Sequence, residues 1–131
     1  MERVLPLGPG GDRVHATAVH DLASDATIPD ATATAPPDAV VLFAATFVLR
    51  DTVRPHWDVS IFLDADPDAA TERGVARDAA ALGGDGAARE AYASRYAAAC
   101  RLYLEEQDPR SAASIVVEHT DPGRPRLLRI A

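Results

Sequence analysis

Residues 59–68 read VSIFLDADPD, and this short stretch decides the fold of the chain. Its first part, residues 59–63, is dominated by β-forming residues, the pattern of a strand that is covered on both faces. Asp66 and Pro67 then supply an N-cap acid and a proline for the first helical turn. A buried strand that leads directly into a helix is typical of α/β proteins.

The segments on either side predict further strands and helices. The run AVVLFAATFVLR at 39–50 begins as a buried strand, and ASIVVEH at 113–119 forms another. The helix that opens at Pro67 is predicted to end at Gly83-Gly84, and the next helix continues to Gln107. Because strands and helices alternate, we predict an α/β fold with a largely parallel sheet.

The length of 131 residues is that of a single domain, and we predict one over 1–131. Residues 23–38 contain small polar residues and three prolines, so an extended loop is expected there. Residues 67–107 form a two-helix segment. The tail ends in a short apolar run that is interpreted as a last strand.

Composition excludes several classes of function. A net charge of −7 argues against binding nucleic acid through its phosphates, which requires a basic face. No apolar run is long enough to span a membrane, and no signal peptide is recognisable, so no membrane partner and a cytoplasmic location are expected. The single cysteine excludes an internal disulfide and a multi-cysteine metal site.

All 13 basic residues are arginine, and lysine does not occur. A Walker A loop needs a lysine to reach the β- and γ-phosphates of a nucleotide. The sequence therefore offers no P-loop of the usual kind, and no cofactor is predicted for the chain by itself.

Acidic residues follow the strand at the place where α/β sheets usually bind ligands. Asp64 is a candidate catalytic residue that could contact a metal or a hydroxyl group, but the same residue could simply shape the turn. Asp66 has the same two interpretations, with capping of the helix as its structural role.

Two basic sets are candidates for binding an anion or a substrate. Arg73 and Arg77 lie one helical turn apart with Asp78 beside them, and guanidinium groups bind phosphates and carboxylates through paired hydrogen bonds. Arg95-Tyr96 and Arg101 with Tyr103 form a second basic, aromatic set, whose tyrosines could instead be core residues with a polar tip. The alternative for the first set is a solvated face on which the arginines pair with neighbouring acids.

Histidines supply the remaining candidates for catalysis. His20 and Asp21 precede the long predicted loop, and His119 follows the third predicted strand, so each is a candidate acid or base. The four histidines lack the close spacing of zinc ligands, and no metal site is predicted.

Several segments together resemble a known family. They are PLGPGGDR, TAPPDAVVLF, HWDVSIFLDADPD, RGVARDAAALGG, RYAAACRLYLEEQDPR and VVEHTDPGRP. In this order they resemble the C-terminal part of actinobacterial uridine-kinase-like proteins, in the P-loop nucleoside kinase and phosphoribulokinase group. The resemblance implies an ancestor that transferred phosphate from ATP to a nucleoside or a similar hydroxyl compound.

The same resemblance assigns expected roles and shows departures. It places Arg73, Arg77 and Asp78 in a lid helix whose arginines contact phosphates, and Arg95-Tyr96 just after the lid. The phosphate loop, its helix and the strand with the catalytic aspartate are missing. Ala44-Ala45 stands where look-alikes commonly carry DG. ATP and Mg²⁺ would therefore be used only if a P-loop partner complemented the chain.

The resemblance also implies a gap in the sheet. In the family fold the P-loop strand lies between the strands matched here by 40–44 and 59–63, and each backbone group left unpaired costs about 1–3 kcal/mol. We expect a three-layer, mostly parallel sheet that lacks this central strand. Either the two strands close up directly, or a strand from residues 14–20, from the tail or from a second copy fills the gap. A rearranged sheet and a homodimer are expected.

Three functions follow as expectations. The first is a degenerate nucleoside-kinase-like domain that binds a nucleoside-like or phosphorylated small molecule, reused for a hydrolytic, lyase or isomerase reaction. The second is a non-catalytic dimeric or regulatory interaction module. The third is a kinase half that works only with a separate P-loop protein.

Overall fold

Four short strands lie in the first of two compact units into which the chain divides after Ala45. The computed structural model describes residues 7–8, 10–21 and 24–131. The four strands are β1 (Val14–Ala16), β2 (His20–Asp21), β3 (Ala26–Thr27) and β4 (Thr32–Thr34). β1 pairs antiparallel with β4, and β2 pairs antiparallel with β3. Two of these strands thus lie in the stretch predicted as an extended loop over 23–38, whose residue 23 is outside the described residues.

The prediction of a strand at the start of 39–50 is wrong. Residues 39–45 form no strand, and Val40 and Leu42 are 85% and 93% exposed. A run that is apolar on both faces is stable as a strand only when other strands and layers cover it. The four strands of the first unit pair with one another, and none of them pairs with this run.

A three-stranded sheet forms the framework of the second unit, Thr46–Ala131. Its strands are β5 (Ile61–Asp64), β6 (Ile115–Glu118) and β7 (Arg126–Ile130). β5 and β6 are parallel, whereas β7 returns antiparallel to β6 with a bulge between Val116 and Val117. The α/β class is therefore confirmed. The large parallel sheet is not found among the described residues, in which one strand pair is parallel.

Two serines fix the start of the parallel pair. The backbone N–H of Ser60 donates to the hydroxyl of Ser114 over 3.2 Å, and the N–H of Ser114 donates to the hydroxyl of Ser60 over 3.1 Å. The N–H of Ile115 donates to the carbonyl oxygen of Ser60 at 2.9 Å. These reciprocal bonds set the register in which Ile61 faces Ile115.

Helices connect β5 to β6, as the sequence predicts. They are α1 (Pro67–Leu82), α2 (Asp85–Ala91), a π-helical turn (Tyr92–Tyr96), α3 (Ala97–Gln107) and α4 (Pro109–Ala112). The side chain of Asp66 accepts a hydrogen bond from the N–H of Ala69 at 2.9 Å and so caps α1. Gly83, with φ of 91°, ends the same helix in the left-handed conformation that glycine adopts most easily.

The core of the second unit lies between β6 and the turns that precede β5. Leu49, Ala113 and Val116 are at most 2% exposed and form one buried cluster. Trp57 packs beside them and donates its indole N–H to the carbonyl oxygen of Val48 at 2.9 Å. The apolar end of 39–50 thus contributes to the core through turns rather than through a strand.

Tyr103 on α3 holds these turns in place. Its hydroxyl accepts a hydrogen bond from the N–H of Leu49 at 3.1 Å, and its ring meets that of Phe47 edge to face, with centroids 5.1 Å apart. Phe47 has a φ of 67°, a left-handed conformation that is unfavourable for a bulky side chain. The ring contact packs Phe47 against α3 at this position.

Within the residues that the structure describes, the chain itself supplies no predicted filler strand beside β5. Residues 14–16 pair within the first unit, and the tail strand β7 lies against β6, on the side away from β5. The outer edge of β5 has no neighbouring strand among the described residues. A second copy of the chain is the one predicted source that these pairings leave open.

Removal of the Tyr103 hydroxyl tests the core. We expect Tyr103→Phe to lower the free energy of unfolding by about 1–3 kcal/mol, because the buried N–H of Leu49 loses its acceptor. Urea unfolding measures the change. Tyr96→Phe is the matched control, because Tyr96 is half-exposed. Equal stability of the two variants would contradict this role of Tyr103.

Candidate functional site

The carboxyl ends of β5 and β6 meet at one edge of the sheet and bring predicted site residues together. Because the two strands are parallel, Asp64 lies opposite Glu118, and His119 follows directly. The N–H of His119 donates to the carbonyl oxygen of Asp64 at 2.7 Å, and the N–H of Asp66 donates to the hydroxyl of Thr120 at 3.0 Å. We refer to the region formed by Asp64, Asp66, Glu118, His119 and Thr120 as the carboxyl edge.

Asp64 is held by an arginine that the sequence did not single out. The Nε of Arg110 on α4 donates to Oδ2 of Asp64 at 2.8 Å. The ion pair joins the end of β5 to the short helix before β6. Its geometry leaves Asp64 as a partly exposed carboxylate whose charge is balanced.

Thr120 is a second residue at this edge that sequence patterns missed. Its hydroxyl and its backbone take part in the contacts of Asp66, Glu118 and Arg73. The pKa of Glu118 is lowered, chiefly by hydrogen bonds from the side chain and backbone of Thr120, with a smaller contribution from Arg126. Thr120 directly follows His119, so its position after a predicted strand is the sequence feature that could have identified it as a site residue.

Arg73 reaches from α1 to the carboxyl edge. Its Nη1 donates to the carbonyl oxygen of Thr120 at 2.6 Å, and its side chain is exposed. In the described part of the chain no carboxylate forms an ion pair with Arg73, whereas Arg77, Arg89, Arg110 and Arg126 each have at least one.

Arg77 and Asp78 form a network with Tyr92 instead of an open anion site. Arg77 donates from Nε and Nη2 to the two carboxylate oxygens of Asp78, at 2.7 and 2.8 Å. The hydroxyl of Tyr92 donates to Oδ2 of Asp78 at 2.6 Å. Arg73 and Arg77 share a helix face as predicted, but the guanidinium of Arg77 is already bound by an acid.

The network also fixes how α1 packs on the following helices. The ring of Tyr92 lies so close to Gly74 that a Cβ at this position would overlap it. The pKa of Asp78 is held well below its usual value, first by Arg77 and then by Tyr92. The pKa of Tyr92 is raised, first because its proton is donated to Asp78 and then because of burial.

Arg95 and Tyr96 lie in the π-helical turn, and both are exposed. The ring of Tyr96 packs on that of Tyr92, with centroids 4.8 Å apart. Tyr96 thereby adjoins the Arg77–Asp78–Tyr92 network.

His20 and Asp21 belong to the first unit, whereas Asp64 and His119 belong to the second. Nε2 of His20 lies 2.9 Å from Oδ1 of Asp25, and Asp21 accepts hydrogen bonds from the N–H and hydroxyl of Ser24, at 2.8 and 3.0 Å. These are contacts within a turn between β2 and β3. Of the four predicted catalytic residues, the carboxyl edge contains Asp64 and His119.

The chain matches no protein-family model, and neither the curated proteins nor the solved structures contain a significant match to it.

Over the described residues, no three His, Cys, Asp or Glu side chains are grouped so that they could hold a metal ion. No helix in the same residues has the length and apolar character needed to cross a membrane.

Titration of the tyrosines tests the network. Because Tyr92 donates its proton to a carboxylate, we expect it to ionise at a higher pH than an ordinary tyrosine, whose pKa is about 10. The contact then stabilises the fold below that pH, and the stabilisation is lost as the pH rises through the raised pKa. Asp78→Asn removes the acceptor's charge and should shift this ionisation to lower pH, as measured by tyrosinate absorbance.

Asp68→Asn is the matched control, because Asp68 lies in the first turn of the same helix and is exposed. It removes an equal charge and should leave the tyrosine titration unchanged. Superimposable curves for the wild type and Asp78→Asn would show that Tyr92 does not depend on Asp78.

Proposed function

We propose that the second unit binds a small anionic ligand, a nucleoside-like or phosphorylated compound, at the carboxyl edge. In this proposal the chain is a degenerate relative of the nucleoside kinases that has kept a ligand site, and its 131 residues contain no lysine for a phosphate loop. The proposal rests on the state of Arg73, whose charged end lies at the carboxyl edge and is not balanced by a carboxylate.

The hydrogen-bonding capacity of Arg73 supports this role. A guanidinium group has five N–H donors, and the bond to the carbonyl of Thr120 uses one of them. That bond fixes the position of the group at the sheet edge. Phosphate and carboxylate oxygens bind such a fixed, planar set of donors in pairs.

Two acids of the carboxyl edge are paired with arginines other than Arg73. Asp64 is paired with Arg110 at 2.8 Å, and Glu118 lies 3.6 Å from Arg126. These arginines offset the negative charge that would otherwise repel an anion.

In this proposal His119 and Asp64 are the residues available for acid–base chemistry on the bound ligand. They leave the sheet at the same edge, next to Thr120 and within the same unit as Arg73. A hydrolytic, lyase or isomerase step needs such a proton donor or acceptor close to an anion-binding group. Arg77 and Asp78 keep a structural role, because they bind each other.

Phosphoryl transfer from ATP is not part of the proposal. Such transfer depends on groups that position the phosphates and the metal ion, among them the lysine of the phosphate loop. The 131 residues contain no lysine. We therefore assign ATP and Mg²⁺ no role in the chain by itself.

Thermal unfolding with three probes tests anion binding at Arg73. Uridine monophosphate and inorganic phosphate should raise the Tm, whereas free uridine should raise it less. At a hundredfold excess over Kd a ligand stabilises the folded state by about 2.7 kcal/mol. Arg73→Ala should remove the effect of the two phosphates, and Arg73→Lys should restore part of it.

Arg101→Ala is the control for loss of a positive charge, because Arg101 is exposed on α3, outside the carboxyl edge. It should keep the response to phosphate. If the wild type does not respond to either phosphate, or if Arg101→Ala loses the response equally, anion binding by Arg73 is excluded.

A radiolabel assay tests the statement about ATP. Purified chain, ATP, Mg²⁺ and uridine should give no uridine monophosphate above a protein-free blank. Product formation that scales with the concentration of the chain would refute the proposed loss of kinase activity.

A second candidate function is favoured by one separate observation. Large apolar side chains are exposed on the sheet of the second unit, among them Ile61, Leu63 and Ile130. Contiguous apolar surface of this kind marks association with another macromolecule. We propose a non-catalytic interaction role as the alternative to ligand binding.

A further inference from the structure

One face of the three-stranded sheet is apolar at every paired position. The register aligns Ile61 with Ile115 and Ile130 across the three strands, and aligns Leu63 with Val117 and Leu127. Directly paired residues in a sheet point to the same face. The bulge on β7 keeps Leu127 on that face, since Leu128 is the extra residue. We call these six residues the apolar face.

The opposite face of the sheet is the one that the core and the charged residues use. Val116 is 1% exposed in the core, and Phe62 packs against the same cluster. Arg129 donates from Nη2 to the carbonyl oxygens of Arg110, Ser111 and Ala113, at 2.7, 3.2 and 2.8 Å. One face of the sheet is therefore apolar throughout, whereas the other packs on the core and carries charged residues.

The edge residues of the apolar face are open to solvent. Ile61, Leu127 and Ile130 are 57%, 60% and 67% exposed. α1, which follows β5 directly, packs against α2 and the π-helical turn rather than over the sheet. Within the second unit the apolar face is left without a covering layer.

The exposed area fits a small dimer interface. A fully exposed aliphatic side chain carries on the order of 100–150 Å² of apolar surface, so the half-exposed residues of this face leave roughly 300–400 Å² in contact with water. A specific interface at the small end of the range buries about 600 Å² on each partner, and about 60% of that area is apolar. The apolar area exposed on this face therefore matches the apolar area that such an interface buries on each partner.

The chemistry of the face favours a second copy of this chain. The six positions carry no charge and no hydrogen-bonding side chain, so nothing on them selects a partner of opposite charge. A uniformly apolar face can pack against its own copy, as a two-fold symmetric interface requires. Two sheets pack face to face about 10 Å apart with their inner side chains interdigitated.

We propose that two copies of the chain associate through their apolar faces and form a two-layer sandwich of the three-stranded sheets. Ile61, Leu63, Ile115, Val117, Leu127 and Ile130 of each copy form the contact. This inference rests on the alternative function, association, and is independent of anion binding at Arg73. The carboxyl edge stays accessible in the dimer.

Sedimentation velocity over a concentration series of the full chain tests the proposal. The wild type should pass from monomer to dimer in the micromolar range, without added ligand and equally in the Arg73→Ala variant. Added salt should strengthen the dimer, because each chain carries a net charge of −7 and the contact is apolar. A monomer at every concentration overturns the inference and leaves anion binding untouched.

Charge substitutions locate the contact. Ile61→Glu on β5 and Ile130→Glu on β7 should each weaken dimerisation at least tenfold while the far-ultraviolet circular dichroism is unchanged. Leu42→Glu is the matched control, since Leu42 is 93% exposed and lies in the first unit. If Leu42→Glu dissociates the dimer as strongly as Ile61→Glu, the apolar face is not the interface.

Hydrogen exchange distinguishes face packing from edge pairing. The residues on either side of Ile61 and Leu63 direct their backbone groups toward β6, as shown by the bonds to the carbonyl oxygens of Ser60 and Asp64. The N–H groups of Ile61 and Leu63 therefore point to the open edge of β5. They should exchange rapidly in the dimer, and strong protection on dimerisation would overturn packing through the faces.

Discussion

The parallel pairing of β5 with β6 is the constraint on which the second unit depends. It joins Ser60 to Ser114, which lie 54 positions apart in the chain. In the described residues, α1 to α4 and the π-helical turn all lie in the connection between these strands. The closure entropy of such a loop must be repaid by contacts at both ends of the pair. The bonds between Ser60 and Ser114 provide these contacts at one end of the strand pair. The Asp64–Arg110 ion pair and the contacts of Thr120 provide them at the other end.

The helical half of the second unit was largely readable from the sequence. Asp66-Pro67 and Gly83 determine the ends of α1 through local capping geometry, which needs no information about distant residues. The run at 39–50 is the contrasting case. Its composition fits a buried strand, but pairing depends on neighbours that the local sequence does not reveal, and the residues form exposed chain and turns.

The sequence predicted where the candidate site lies, but it did not predict which side chains pair with one another there. Acids and a histidine after a strand mark a sheet edge, and Asp64 and His119 do lie there. In contrast, Arg77 and Asp78 were predicted as one functional set with Arg73, and their mutual ion pair separates them from it. Arg110 and Thr120 escaped notice because their partners are about fifty residues away in sequence. Such pairings follow from the tertiary fold rather than from spacing.

The conformation of Phe47 has a consequence for how this unit assembles. A phenylalanine in the left-handed region is disfavoured by about 1–2 kcal/mol in an isolated segment, so the turn has no local tendency to form. Its stabilisation comes from the ring of Tyr103, more than fifty residues later. The turn therefore depends on a contact with α3 that the local sequence cannot supply.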